Sequence, residues 1–487
     1  MVQGTGSNVG KSMLVAGLCR YFTNQGLTVR PFKPQNMSNN AAVTKDGGEI
    51  GRAQALQALA CKTNPTIHMN PVLLKPEGEC GSQVIVQGKR LGSYKAKDFY
   101  NLKKTLMPKV LESFELLKQE ADLIIVEGAG SASEINLREN DIANMGFAIA
   151  AKLPVILAAD IDRGGVLASI VGTHALLPDD EINLIKGYII NKFRGDPTLF
   201  TSAETLITEK TNWQSLGVCP WFQKANLLPA EDSQDLENNT KINNSDKKLI
   251  KIAVPVLPRI ANFDDLDPLA AEPNVDLKLI RQGELIPGNT DLIILTGSKA
   301  TIADLEALYQ EGWHIDIAKH IRKGRAILGL CGGYQMLGQS IKDPKGLEGR
   351  PREIEGLKLL DIETTLEVNK TLTEVKAEFL ETHSTLSAYE MHMGKTTGPD
   401  TNRPLFKIKN DENQIEGAQN LSGKVMGTYL HGLFQADEFR NNFLQKLYKN
   451  FESQTAYKAQ IETTLNELSD HIAKTLNIKE IEKVQSQ

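Results

Sequence analysis

The stretch from Gln3 to Ser12, Gln-Gly-Thr-Gly-Ser-Asn-Val-Gly-Lys-Ser, constrains this chain more than any other. A short apolar start runs into a glycine-bearing loop, and Lys11-Ser12 opens a helix read from Met13 to Asn24. Such a strand–loop–helix unit aims backbone N–H groups at one anion, and the helix adds its positive dipole end. Gly6 and Gly10 shape the loop, Lys11 would reach the outer phosphates of a nucleoside triphosphate, and the Ser12 hydroxyl would complete the shell of a bound Mg²⁺. The usual spacing asks for a glycine at position 5. Here Gly4 and Gly6 flank Thr5, so one extra residue separates the first glycine from Gly10-Lys11. A plain glycine-rich turn before a core helix is the competing reading, and the strand–loop–helix context weighs against it. Only Met1-Val2-Gln3 precede the loop, short for a central strand of about five residues. The expectation is a clipped strand or a start further upstream.

The rest of the first half repeats the theme. Leu27–Phe32 reads as a strand leading into Lys33-Pro34-Gln35-Asn36-Met37-Ser38-Asn39-Asn40, and Gly51–Cys61 reads as an alanine-rich helix. Asp122–Val126, Pro154–Ala159 and Ile185–Ile190 are short apolar runs that deliver Glu127, Asp160-Ile161-Asp162 and Asn191 to one sheet edge, where open α/β sheets place their ligands. Strands alternating with helices predict a doubly wound, largely parallel sheet over residues 1–230. Residues 231–248 are polar and nearly free of apolar side chains, which predicts a linker. Alternation restarts at Ile250–Val256 and is expected to continue to Phe434, giving a second α/β domain over 249–440. Residues 441–487 show helical periodicity, and a helical tail is expected there.

Bulk properties exclude several classes. A net charge of −5 argues against a general nucleic-acid binder. The five cysteines (Cys19, Cys61, Cys80, Cys219, Cys331) form no CxxC pair, which points to a reducing compartment and away from a structural zinc site. No apolar run approaches the roughly 20 residues of a membrane span, and no secretory start is present. A cytoplasmic enzyme that uses no membrane is expected.

Within the first half, Lys33 follows a strand directly and can stabilise charge on a phosphoryl group or orient a carboxylate; a solvated surface lysine is the alternative. Glu127 is a candidate Mg²⁺ ligand, because that ion takes few protein carboxylates beside phosphates and waters. Asp46, Asp160 and Asp162 compete for the same role. Asn191 is a candidate for reading an adenine edge. In the second half Arg325–Leu330 is a strand, Cys331 follows it, and Gly332-Gly333 opens a helix. This is the thiol form of the strand–nucleophile–helix elbow, in which a helix N-terminus favours the thiolate. His431, just past another strand, is the candidate base, with His392 its rival. Backbone N–H groups near Gly297 and at Gly332 would form an oxyanion hole. Together these residues describe a Cys–His hydrolase of an acyl or amide bond.

The elbow with a later histidine resembles triad-type glutamine amidotransferase domains. The common form carries a glutamate two residues after the histidine, where this chain has Leu433, and that lack is typical of the cobyric and cobyrinic acid synthase family. The first half resembles the dethiobiotin synthetase superfamily, whose loop has the same extra residue. The order of the halves, with PFKPQNMSNNA (31–41), DGGEIGRAQALQA (46–58), MNPVLLKP (69–76), EGAGSASEINLRENDIANMGFA (127–148), DIDRGGV (160–166) and INKFRGD (190–196), resembles the cobyric acid synthase branch of that family. KPQNMSNN discriminates against the cobyrinic acid a,c-diamide synthase branch, and the Cys331 elbow speaks against a partition-type ATPase switch. The resemblance implies ATP, Mg²⁺, glutamine and a corrinoid as reactants, and amidation of the b, d, e and g carboxylates of adenosylcobyrinic acid a,c-diamide. Cobalt would arrive inside the corrinoid.

Overall fold

Strands buried on both faces need unbroken apolar runs, and those runs build the centre of each half. A computed structural model describes residues 1–76, 81–229, 249–409 and 414–485. They fall into two units, Met1–Glu231 with Ile461–Gln487, and Asp232–Gln460. The linker expected over 231–248 lies outside the described residues, as does Cys80. Among the described residues no helix is long and apolar enough to cross a membrane.

The first unit begins with β1 (Val2–Gly4), α1 (Lys11–Asn24) and β2 (Val29–Phe32). Six short strands follow: β3 (Gln35–Met37), β4 (Ala41–Val43), β5 (Glu49–Gly51), β6 (Val72–Pro76), β7 (Gly81–Val86) and β8 (Lys89–Lys95). Helix α2 (Arg52–Ala60) lies among them and α3 (Ala96–Lys118) comes after. Then come β9 (Leu123–Val126), β10 (Val155–Asp160), β11 (Ile185–Phe193) and β12 (Gln214–Pro220). The parallel sheet runs β1-β10-β11-β12, and a parallel bridge from Val2 to Glu127 joins the β2-β9 pair to its other side. Short as it is, β1 is buried throughout and keeps parallel register with β10, Val2 opposite Ile156 and Gly4 opposite Ala158. One core holds Leu157, Ile170, Tyr188, Ile190 and Trp213. A second packs the Phe32, Phe114 and Phe147 rings with centroids 5.2–5.4 Å apart. Burying each such ring contributes about 1.5–3 kcal/mol.

Two features depart from the sequence reading. Between β2 and β9 the chain makes a β-rich excursion, the sheet β3-β6-β7-β8 and the hairpin β4-β5. Strands β3–β5 have three residues each, too few to show an alternating pattern. The segment expected as one tail divides: residues 441–460 belong to the second unit, and the chain from Ile461 onward to the first. Ile461, Leu465, Leu468 and Ile472 form a buried helical stripe. It meets α1 at Gly17, where an added Cβ would lie 2.2 Å from Ile472 Cδ1. Arg20, fully buried, pairs with Glu462 at 2.9 Å, and the Asn477 N–H donates to the Leu216 carbonyl.

The second unit carries β13 (Ile250–Pro255), β14 (Ile260–Ala261), β15 (Val275–Ile280), β16 (Leu292–Leu295), β17 (Gly297–Ser298) and β18 (Ala326–Leu330). Its parallel sheet runs β15-β13-β16-β18 and continues to the strand Val425–Thr428. The alternation expected up to Phe434 is interrupted by a long antiparallel hairpin, Glu363–Phe379 against Thr385–Thr397. Residues 385–388 alternate exposed and buried, the mark of a sheet with one solvated face. Leu430–His431 pairs with that hairpin opposite Tyr389 and Glu390.

Candidate active sites

At the phosphate loop, Gly10 takes φ +89°, and an added Cβ would sit 2.3 Å from Asn191 Nδ2. Only glycine fits there. Gly4 is equally constrained, its Cβ position being 2.8 Å from Val9 and 2.9 Å from Lys11 Nζ, while Gly6 has room around it. Lys11 Nζ donates to the carbonyls of Gly6 (3.1 Å) and Gly130 (2.8 Å), so the loop and the turn after β9 share one cation. Glu127, just after β9, accepts on Oε1 from Ser12 Oγ at 2.7 Å and from Lys33 Nζ at 2.8 Å, and on Oε2 from Gln57 Nε2 at 2.5 Å. Lys33 and Glu127 are both buried, a charge pair that survives desolvation because its remaining lone pairs are also satisfied.

The structure thus brings Lys11, Ser12, Lys33 and Glu127 together from three segments: the start of α1, the turn after β2 and the turn after β9. Asn191 lies inside β11 rather than after it, and its Nδ2 donates to the Val9 carbonyl at 2.8 Å. It braces the loop. Asp46 stands apart, exposed in the β4–β5 turn with Oδ2 accepting from the Ile67 N–H at 3.4 Å. Asp160 pairs with Lys192 at 3.0 Å and Asp162 with Arg194 at 2.6 Å. Gln57 was not singled out from the sequence; a polar residue on the buried face of an alanine-rich helix was its available signal.

In the second unit Cys331 follows β18 and caps the next helix with φ +51° and ψ −109°, a conformation that costs energy in a non-glycine residue. An added Cβ on Gly333 would lie 2.1 Å from the Leu295 carbonyl oxygen, and one on Gly329 would lie 2.6 Å from that of Gly333. These close approaches are what the flanking glycines permit. The Cys331 N–H donates to the Thr428 carbonyl at 2.8 Å, and Sγ donates to the Met391 carbonyl at 3.2 Å. A Cβ on Gly332 would lie 3.0 Å from the Ser298 nitrogen, so the first turn of the helix after Cys331 and the Gly297-Ser298 strand converge. N–H groups in a first helical turn have no intrahelical acceptor.

His431 is buried, and its Nδ1 donates to Asp265 Oδ2 at 2.6 Å. The Gly432 N–H donates to Asp265 Oδ1, also at 2.6 Å, so both carboxylate oxygens are used. The Tyr389 ring stacks on the imidazole, centroids 5.1 Å apart and planes 15° from parallel. Burial disfavours the imidazolium, but the Asp265 carboxylate and the neighbouring Cys331 sulfur outweigh it and raise His431 well above its ordinary value. Nε2, the nitrogen away from Asp265, has no hydrogen-bond partner at normal distance among the described residues. The rival His392 stacks on Tyr429 with centroids 3.7 Å apart, donates Nδ1–H to the Gly394 carbonyl, and is pushed down to about 4 by burial. It makes a weak base. Asp265 was not singled out from the sequence: it sits 166 residues from His431 in an acidic stretch, and only the fold joins them.

A CobQ/CobB/MinD/ParA nucleotide binding domain model matches residues 1–236, and a CobB/CobQ-like glutamine amidotransferase domain model matches 251–439. A protein named cobyric acid synthase from Allorhizobium ampelinum is 55% identical over 477 residues, 98% of this chain and 97% of that one. Another of that name from Brucella anthropi is 53% identical over 478 residues, 98% of each chain. A third, from Methylobacterium nodulans, is 53% identical over 97% of this chain and 96% of its own. With identity of this degree across both halves, the chain belongs to the cobyric acid synthase family.

Proposed function

We propose that this ATP-using, glutamine-dependent amide ligase amidates the b, d, e and g carboxylates of adenosylcobyrinic acid a,c-diamide, giving adenosylcobyric acid. The observation that carries the reading is the pairing, on one chain, of Cys331 and a buried His431–Asp265 pair with a phosphate loop. A carboxylate is inert to ammonia, so it must first become an acyl phosphate with a good leaving group. Gly6, Gly10 and Lys11 hold the triphosphate, and Lys33, following β2, faces the phosphoryl group and the acceptor carboxylate. Ser12 Oγ and Glu127 Oε1, 2.7 Å apart, are hard oxygens that would hold a Mg²⁺, which would supply positive charge to the phosphates. Asp46, exposed in its turn, has no part in this set. Asn191 keeps the loop in shape under the nucleotide.

At the other site His431 takes the Cys331 proton, the sulfur attacks the glutamine side-chain amide, and the carbonyl oxygen charges up toward Gly297-Ser298 and Gly332. His431 then gives the proton to the departing ammonia, with Asp265 fixing its tautomer. Water releases glutamate from the sulfur. Ammonia displaces phosphate from the acyl phosphate, and exclusion of water protects that intermediate. Mass spectrometry of the corrinoid product tests the reading. Four added amides on the diamide are expected; two on a diamide-free substrate would support the sister reaction, and none would refute the proposal.

A further inference from the structure

The walls of the proposed oxyanion hole come from different parts of the second unit, and side chains set the spacing between them. One wall is β17, which leads into the helix Thr301–Gln310; the other is the first turn of the helix Gly332–Met336 after Cys331. The N–H groups that open the helix Thr301–Gln310 have no acceptor within it, and Ala300 at its N-cap offers no side-chain oxygen. Glu348 takes them instead: Oε1 accepts from the Thr301 N–H and Oε2 from the Ile302 N–H, each at 2.9 Å. Glu348 lies on the chain that continues from the elbow, past the helix Gly332–Met336 and the strand Ser340–Asp343. That chain is itself held, because the fully buried Asp343 accepts from the N–H groups of Leu347 and Glu348 at 2.8 Å. A second tie runs from the same residue to the elbow helix, the Thr301 hydroxyl donating to Gln335 Oε1 at 3.1 Å. One turn further on, the buried Asp304 accepts from Ser298 Oγ at 2.6 Å and from the Arg259 N–H at 3.1 and 3.2 Å.

These contacts close a ring from the elbow through Glu348, Thr301 and Ser298 back to Gly332, where an added Cβ would lie 3.0 Å from the Ser298 nitrogen and 3.2 Å from Thr301 Oγ1. Oxyanion donors act at about 2.7–3.1 Å from the oxygen they serve, so a small shift of the Ser298 segment is felt in the rate. We propose that Glu348 is a positioning residue for glutamine hydrolysis: by gripping the start of the helix after Ser298, it sets the gap between β17 and Gly332 and with it the oxyanion hole. Glu348 acts through Thr301 and Ile302, not on the substrate. Burial raises its carboxyl to about 7, with Asp343 and Asp304 adding to the rise and the Thr301 and Ile302 N–H groups opposing it, and Arg259 faces Asp304 at 3.5 Å. The charged form, which serves both N–H groups as a pure acceptor, is therefore lost as pH falls through about 7. This inference rests on the glutamine-hydrolysing reading above and adds the residue that holds one wall of its transition state.

The test is glutamate release by the full chain, with ATP and the corrinoid diamide present, read as kcat and KM for glutamine. Glu348→Gln keeps the volume but turns an NH₂ toward one of the N–H groups. Losing an oxyanion donor outright costs on the order of 10²–10³ in kcat, so displacing one is expected to cost about tenfold. An interaction made only in the transition state leaves KM within about twofold. The kcat ratio of parent to variant should be widest in alkaline buffer and close toward unity near about pH 6, where the parent's own carboxyl is protonated. Inactivation by iodoacetamide, which alkylates the Cys331 thiolate and forms no oxyanion, should run within about twofold of the parent's rate. Synthesis driven by ammonium salt should be unchanged. Glu348→Ala, which removes both acceptors, should lose more kcat than Glu348→Gln, and it supplies the same comparison should the glutamine variant fail to fold. A kcat within about twofold of the parent's, a loss that falls on KM, a pH-independent ratio, or an equal fall in iodoacetamide inactivation overturns the positioning role while leaving the proposed function intact. A parent that releases no glutamate, or that still does so as Cys331→Ala, overturns the glutaminase reading, and the role of Glu348 with it.

Discussion

Asp265→Asn removes one charge from a buried pair without changing its shape. In the parent, Asp265 accepts from His431 Nδ1 and from the Gly432 N–H, each at 2.6 Å. The asparagine keeps one acceptor for Gly432 and turns its NH₂ toward Nδ1, which forces the other imidazole tautomer. Nε2 then carries the hydrogen and cannot take the Cys331 proton. A charge-assisted hydrogen bond contributes about 1.5–3 kcal/mol. At about 1.36 kcal/mol per tenfold in rate, glutamine hydrolysis should fall roughly 10- to 100-fold in kcat/KM. Glutamate release measures this, and synthesis driven by ammonium salt, which bypasses Cys331, is the internal control and should be unchanged. Stability supplies a second readout. His431 is raised in the fold, so its charged form stabilises the native state fully below the unfolded imidazole value of about 6.5, and that contribution is lost as pH rises through the folded value. The Tm gap between parent and variant should therefore be widest near pH 6 and shrink under alkaline conditions. Hydrolysis within about twofold of the parent would refute the assignment of Asp265 as the partner of the base.

Cys331→Ala should abolish glutamine-dependent amidation and leave ammonium-dependent amidation intact; if ammonium does not rescue, Cys331 is not the glutaminase nucleophile. Lys11→Ala should lower synthesis by about 10²-fold or more with either nitrogen donor, and ammonium-driven activity near the parent's would take the loop out of the mechanism. Glu416 is fully buried and raised to about 8 by desolvation, with hydrogen bonds from Thr428 and Tyr429 opposing it. A raised carboxyl favours the fold below its unfolded value of about 4.3 and loses that contribution as pH climbs through 8. Glu416→Gln should therefore gain Tm relative to the parent between mildly acidic and alkaline buffers, and a pH-independent difference would contradict this.

The sequence by itself determined the parts whose chemistry is local. Gly10-Lys11-Ser12 after a short strand can make only one kind of loop, and glycines on both sides of Cys331 permit only a tight elbow, so both sites were legible as short strings. The runs Pro154–Ala159 and Arg325–Leu330 were likewise legible, because a strand buried on both faces is continuously apolar. Tertiary structure decided what depends on distance along the chain. Asp265 meets His431 across 166 residues, Gln57 meets Glu127 across 70, and neither partner's neighbourhood carries a pattern that names the other. The same holds for the stripe from Ile461 to Ile472, whose period announces a helix but not that Gly17 of α1 lacks a side chain to make way for it. Periodicity reports how each segment folds on itself; which buried charge meets which is set only when the sheets close.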